Sequence, residues 1–151
     1  DIFAARGVGR HIGIESNTDG MEKTIATLGE DFHGLCFVNL VDFDMKYGHR
    51  RDVDGYAEAL TVFDRQLTEF LAGMRADDVL FLTADHGCDP GAAGTDHTRE
   101  YVPLLACGQR IRKGVNIGTR PTFADLAATI ADLLGAKLET QGQSFWPQLR
   151  K

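Results

Sequence analysis

Apolar residues follow two rhythms along this chain. Short unbroken runs at 35–42 (LCFVNLVD) and 79–84 (VLFLTA) end abruptly, the first in an acid and the second against an Asp-His pair. Runs of that length bounded by polar residues read as strands buried on both faces, the habit of a parallel sheet. A third run, 101–107 (YVPLLAC), contains Pro103, which gives it an irregular or edge position, and 2–5 (IFAA) is a short fourth. Elsewhere the spacing lengthens to three and four. Met21, Ile25 and Leu28 share a helical face after the cap-like Ser16-Asn17-Thr18-Asp19-Gly20, and Gly29 ends it. Tyr56, Leu60, Phe63, Leu67, Phe70, Leu71 and Met74 line one side of a long helix that Asp52 caps. A last helix opens at Thr122-Phe123-Ala124-Asp125, which resembles a capping box. It carries Leu126, Ile130, Leu133 and Leu134 and stops at Gly135. The tail with Phe145 and Trp146 is expected to dock on the body. Alternating strands and helices predict an α/β fold of three layers, a mostly parallel sheet flanked by helices.

Composition narrows the class without naming it. A length of 151 residues suits one domain, and 43% hydrophobic with 25% charged residues is an ordinary soluble balance. A net charge of -6 with no basic block argues against nucleic acid or a membrane surface as partner. No apolar run approaches the ~20 residues that span a bilayer. Cys36, Cys88 and Cys107 are odd in number and lack a CxxC, which fits a reducing compartment, so a cytoplasmic location is expected. The chain opens on Asp1 with no signal peptide, and it is expected to be a piece of something longer.

The chemistry gathers at two strand ends and in one loop. Asp44 and His49 follow the strand at 35–42, Asp85 and His86 follow the strand at 79–84, and His97 lies in the returning loop GTDHTRE. In open parallel sheets the functional crevice lies past the carboxyl ends of the strands. Asp oxygen and neutral His nitrogen both suit zinc or manganese, although a turn-capping Asp85 beside a solvated His86 is the bland alternative. If the strands are neighbours, all five side chains can converge. Five ligands exceed one tetrahedral site and fall one short of two sites with three protein ligands each. A pair of cations about 4 Å apart would clamp the attacking and leaving oxygens of a phosphoryl transfer. Asp42 and Asp96 are candidates to accept from the imidazoles. Arg50, Arg51 and Arg99 flank ligands and either meet phosphate or tie loops together. His11 and His33 read as exposed loop residues, and Cys88 as a spacer.

The segments VDFDMKYGHRRD, LTADHGCDP, GTDHTREYVPLL and TFADLAATIAD closely resemble the C-terminal part of bacterial phosphopentomutases, in the alkaline phosphatase superfamily. The resemblance runs from DIFA through SNTDGM to the final helix. It implies that Asp44, His49 and His97 hold one manganese, and that Asp85 and His86 hold a second with an Asp near the family's N-terminus. It also implies a phosphorylated threonine, an N-terminal core segment and a cap domain, none of them in this sequence. The reaction implied moves phosphate between C1 and C5 of ribose or deoxyribose through a phosphoenzyme and a bisphosphate intermediate, with a sugar bisphosphate as activator. On that reading 1–151 is the C-terminal part of the catalytic core, inactive by itself, and its partners are a pentose phosphate and the rest of the same polypeptide. The alternatives are another superfamily phosphotransferase or hydrolase, such as a phosphoglycerate mutase, phosphodiesterase or sulfatase, or a non-catalytic metal-binding domain.

Overall fold

Ser16 starts the first helix as its position predicts. Its backbone is extended and its Oγ accepts the Asp19 N–H at 3.1 Å, so α1 (Asn17–Thr27) begins with one of its orphan donors satisfied. Asp52 does the same for α2 (Val53–Gly73), where its Oδ1 accepts the Gly55 N–H at 2.9 Å. A side chain at Gly55 would displace this cap, since a Cβ there would lie 2.3 Å from Asp52 Oδ2 and 2.6 Å from the Tyr47 ring. Along α2, Tyr56, Phe63, Leu67 and Phe70 are half-buried as expected, whereas Leu60 and Leu71 stay exposed. α1 packs on α2, and one turn of π-helix, Phe43–Gly48, packs on α2 as well.

The computed structural model describes residues 3–4 and 6–151 and divides into two units. The first comprises Asp1–Gly73 and Cys88–His97, and holds α1, the π-helix and α2. The second comprises Met74–Gly87 and Thr98–Lys151. Among the described residues no helix is long and apolar enough to cross a membrane.

In the second unit β1 (Leu80–Thr83) pairs with β2 (Leu104–Cys107), with Leu80 opposite Cys107 and Thr83 opposite Leu104. The pairing is antiparallel, and these are the only two strands among the described residues. The three-layer, mostly parallel sheet is therefore not formed by these residues. A parallel pair needs a crossover, usually helical, and the connection between these two strands contains no helix. A further antiparallel bridge, Gly87 to Thr98, makes that connection a long hairpin. Pro103 stands just ahead of β2, where its missing N–H costs no ladder bond. The run at 35–42 is not a strand either. A strand exists through its partner's hydrogen bonds, and here Leu35 is 56% and Phe37 54% exposed with no ladder. Of the expected strand at 2–5, Ile2 and Ala5 lie outside the described residues, and Phe3 and Ala4 are in a turn.

The second unit has a small packed core. Ile111, Phe145, Trp146 and Leu149 are buried, with Phe81, Leu104, Leu126 and Leu133 packed on them. The tail thus docks as expected, through α4 (Trp146–Leu149). α3 (Ala124–Leu134) ends at Gly135 with φ 67°, where Ala136 N–H reaches Ala131 O at 2.8 Å and Gly135 N–H reaches Asp132 O at 3.2 Å. This is the left-handed glycine stop its sequence predicts. Its start departs from a capping box. Thr122 Oγ1 accepts only from Ala124 N at 3.2 Å, while the buried Asp125 turns to the tail. Its carboxylate accepts Gln143 N at 2.8 Å and pairs with Arg120 at 2.6 Å. Those bonds, the one from Gln143 foremost, hold its carboxyl below the usual aspartate range. Thr129, fully buried, donates to Asp125 O at 2.7 Å and accepts Phe145 N at 3.0 Å, which closes the network.

Candidate metal centre

The spacing of Asp44 and His49 is five residues, which an α-helix would place about 140° apart around its axis. The intervening segment is π-helical, and the His49 N–H reaches Asp44 O at 2.9 Å, an i→i+5 closure. A second such bond joins Asp52 N to Tyr47 O at 3.0 Å. That winding stacks the two side chains: His49 Nε2 lies 3.3 Å from Asp44 Oδ2. His97 approaches the other oxygen, with its Nε2 3.5 Å from Oδ1, and the two imidazole rings are 4.9 Å apart. Three of the five candidate ligands thus meet within the first unit.

His49 Nδ1 faces the Thr95 carbonyl, which can only accept, so Nδ1 donates there and Nε2 is the nitrogen turned towards Asp44. This is the arrangement in which an imidazole is oriented by a carbonyl behind it and ligates through its other nitrogen. Asp44 Oδ1 is buried and receives no hydrogen bond. A buried carboxylate oxygen left so is costly unless a cation faces it. A carboxylate and imidazole nitrogens are donor types that suit a borderline divalent ion. Burial raises the Tyr56 phenol above its usual value, with smaller contributions from the neighbouring Cys88 and Asp44.

The neighbours differ from expectation in an instructive way. Asp42 is buried, but its carboxylate accepts Asn17 N at 2.8 Å and pairs with Lys46 at 3.1 Å, in place of an imidazole. Asn17 Oδ1 in turn accepts Asp42 N at 2.9 Å, so α1 is latched to the start of the π-helix. Cys88 packs on Gly48, where a Cβ would stand 2.3 Å from Sγ, so the spacer is tightly fitted. His11, His33, Arg50, Arg99 and the Asp96 side chain are exposed. Arg51 has φ 56° and spends its guanidinium on the carbonyls of Asp89, Gly94 and Asp96.

In the second unit Asp85 and His86 follow β1 directly. Their side chains are 3.6 Å apart, and His86 Nδ1 donates to Gly87 O at 2.9 Å, which again leaves Nε2 as the basic nitrogen. Asp85 is 83% exposed at its side chain. Gly87 beside them is required by close backbone, since a Cβ would come within 2.6 Å of Glu100 N.

Residues 8–138 match the model of the metalloenzyme superfamily. Among curated proteins, the phosphopentomutase of Carboxydothermus hydrogenoformans is 54% identical over 151 residues, 100% of this chain and 39% of that protein. That of Acetivibrio thermocellus is 53% identical over 145 residues, 96% and 37%. That of Symbiobacterium thermophilum is 53% identical over 151 residues, 100% and 38%. The chain spans less than two fifths of the length of these relatives. It belongs to the metalloenzyme superfamily.

Proposed function

We propose that this chain is the C-terminal part of the catalytic core of a phosphopentomutase. The intact protein then interconverts ribose or deoxyribose 1-phosphate and 5-phosphate in the cytoplasm, where three cysteines outside any disulfide are at home. The observation that carries the reading is Asp44: one buried oxygen without a hydrogen bond, and the Nε2 atoms of His49 and His97 turned to the same carboxylate. Identity of about half along the whole chain to proteins named phosphopentomutase supports the substrate class.

On this reading Asp44, His49 and His97 hold one divalent cation, manganese by preference. Asp85 and His86 are two ligands of another, with the third supplied by the N-terminal core segment. The phosphorylated threonine, the cap domain and the remaining strands of a three-layer parallel sheet belong to that other part of the polypeptide. Two bound cations supply positive charge for a transferring phosphoryl group, so positioning and electrostatics carry most of the catalysis. The chain's own residues prepare that site. The π-turn stacks Asp44 under His49, and the Thr95 carbonyl fixes the tautomer of His49.

In the intact protein, ribose 1-phosphate should be converted to ribose 5-phosphate when manganese and a sugar bisphosphate primer are present. His97→Ala should lower kcat by orders of magnitude while the circular dichroism melt stays unchanged, because His97 sits in an exposed loop and leaves no core packing behind. Wild-type protein without mutase turnover, or near-normal turnover in His97→Ala, would overturn the reading.

A further inference from the structure

The loop that carries His97 has no regular structure and is rich in glycine: Gly87, Gly91 and Gly94 fall within CDPGAAGTDH and its leading residue. Ordering such a segment costs about 1–2 kcal/mol per residue, and its residues are mostly exposed, so apolar burial does not offset that cost. Beside the His49–Thr95 contact and the local Asp89 turn, one side chain makes three bonds to it. The Arg51 guanidinium donates through Nε to Gly94 O, through Nη1 to Asp89 O at 2.7 Å and through Nη2 to Asp96 O at 2.8 Å. Asp96 is the residue before His97, and Thr95, which receives the His49 proton, lies between two of the three clamped carbonyls.

Arg51 itself stands in the left-handed region at φ 56°, where a non-glycine residue persists only when its surroundings determine it. Its N–H bonds to Gly48 O at 3.1 Å, which ties the clamp to the end of the π-helix that presents Asp44 and His49. From this arrangement we infer that Arg51 is a positioning residue for the metal centre. It fixes the loop so that His97 and the Thr95 carbonyl meet Asp44 and His49, and it does so as a hydrogen-bonding fork aimed at backbone, with no role in gripping substrate phosphate. The inference rests on the metal reading proposed above, and it names a residue two positions beyond a ligand as a support of the loop that carries His97.

The fork is what matters, so charge alone should not replace it. A lysine offers one point charge on a flexible stem and cannot span three carbonyls. Arg51→Gly keeps the backbone turn, because glycine accepts positive φ freely, and removes the side chain with its guanidinium. In the intact protein, manganese affinity followed by electron paramagnetic resonance should fall about ten- to a hundredfold in Arg51→Gly, as for other residues that orient ligands from behind. Arg51→Lys should fall nearly as far. At saturating manganese both variants should recover kcat with KM for ribose 1-phosphate unchanged. In metal-free protein, hydrogen exchange of the amides at 89–97 should quicken in both variants while α2 stays protected. Wild-type manganese affinity in Arg51→Gly, full rescue by lysine, or a raised KM at saturating metal would overturn the clamp. A wild-type protein that binds no manganese would overturn the metal reading instead, and the exchange of the metal-free loop then decides the clamp by itself.

Discussion

The two units are held together by different means. The second has four apolar side chains that are nearly solvent-free, and the network of Asp125, Thr129 and Phe145 stitches the tail to α3. Among its described residues the first has a single buried hydrophobic side chain, Met21, and α2 buries no residue fully along its length. Beside its half-buried apolar stripe, it relies on polar devices: the Ser16 and Asp52 caps, the reciprocal Asn17–Asp42 pair and the Arg51 fork. The unit that gathers Asp44, His49 and His97 is thus the one with little apolar packing. Polar clamps fix direction as well as position, which a donor set needs, whereas apolar packing fixes volume.

Substitutions can break or sharpen that contrast. The largest effect is expected from Phe145→Ala, which empties the centre of the second unit and should cost about 3–5 kcal/mol in a denaturant melt. A loss below 1 kcal/mol would mean that this core is not what holds the unit.

Next comes acid. The folded Asp125 carboxyl sits below its unfolded value, so its contribution is fully present above about pH 4 and is lost as pH falls through the folded value. Asp125→Asn should therefore melt below wild type at pH 7 and converge with it at strongly acidic pH. A gap that persists in acid would show that the carboxylate charge is not the source.

The smallest is Ser16→Ala, which removes one cap and should cost about 1 kcal/mol. Residue-resolved hydrogen exchange should place that loss in α1, with the amides of α3 unaffected. If instead it matched Phe145→Ala in size, the first unit would be a cooperative core and the contrast would fail.

What was legible in the sequence followed the same division. Helix starts and stops are local, so Ser16, Asp52 and Gly135 gave α1, α2 and the end of α3 directly. Strand pairing is not local. The run at 35–42 has the composition of a buried strand, but nothing in its own residues says whether a partner lies beside it. The direction of β1 and β2 was hidden for the same reason, although the absence of any helical rhythm between 84 and 103 was a usable hint of an antiparallel pair. The candidate ligands Asp44, His49 and His97 were named from residue type and resemblance, and each imidazole lies within hydrogen-bonding reach of an Asp44 oxygen or just beyond it, at 3.3 and 3.5 Å. Arg51 was visible only as a flanking charge, because a guanidinium that binds carbonyls leaves no complementary acid in the sequence to point at it.

The π-turn at Phe43–Gly48 carries a lesson for anyone who transplants this motif. Copied onto a straight α-helix of a designed scaffold, Asp and His five places apart would look out from different sides, however faithfully the letters were kept. The graft would need the surplus residue in the winding, and an anchor at each end to stop the turn relaxing into regular helix. Here those anchors are the Asn17–Asp42 latch on one side and the Asp52–Tyr47 bond on the other. The portable unit is therefore 17 plus 42–55, a piece of architecture assembled from two separated stretches, and the six letters between Asp44 and His49 inclusive would not travel alone.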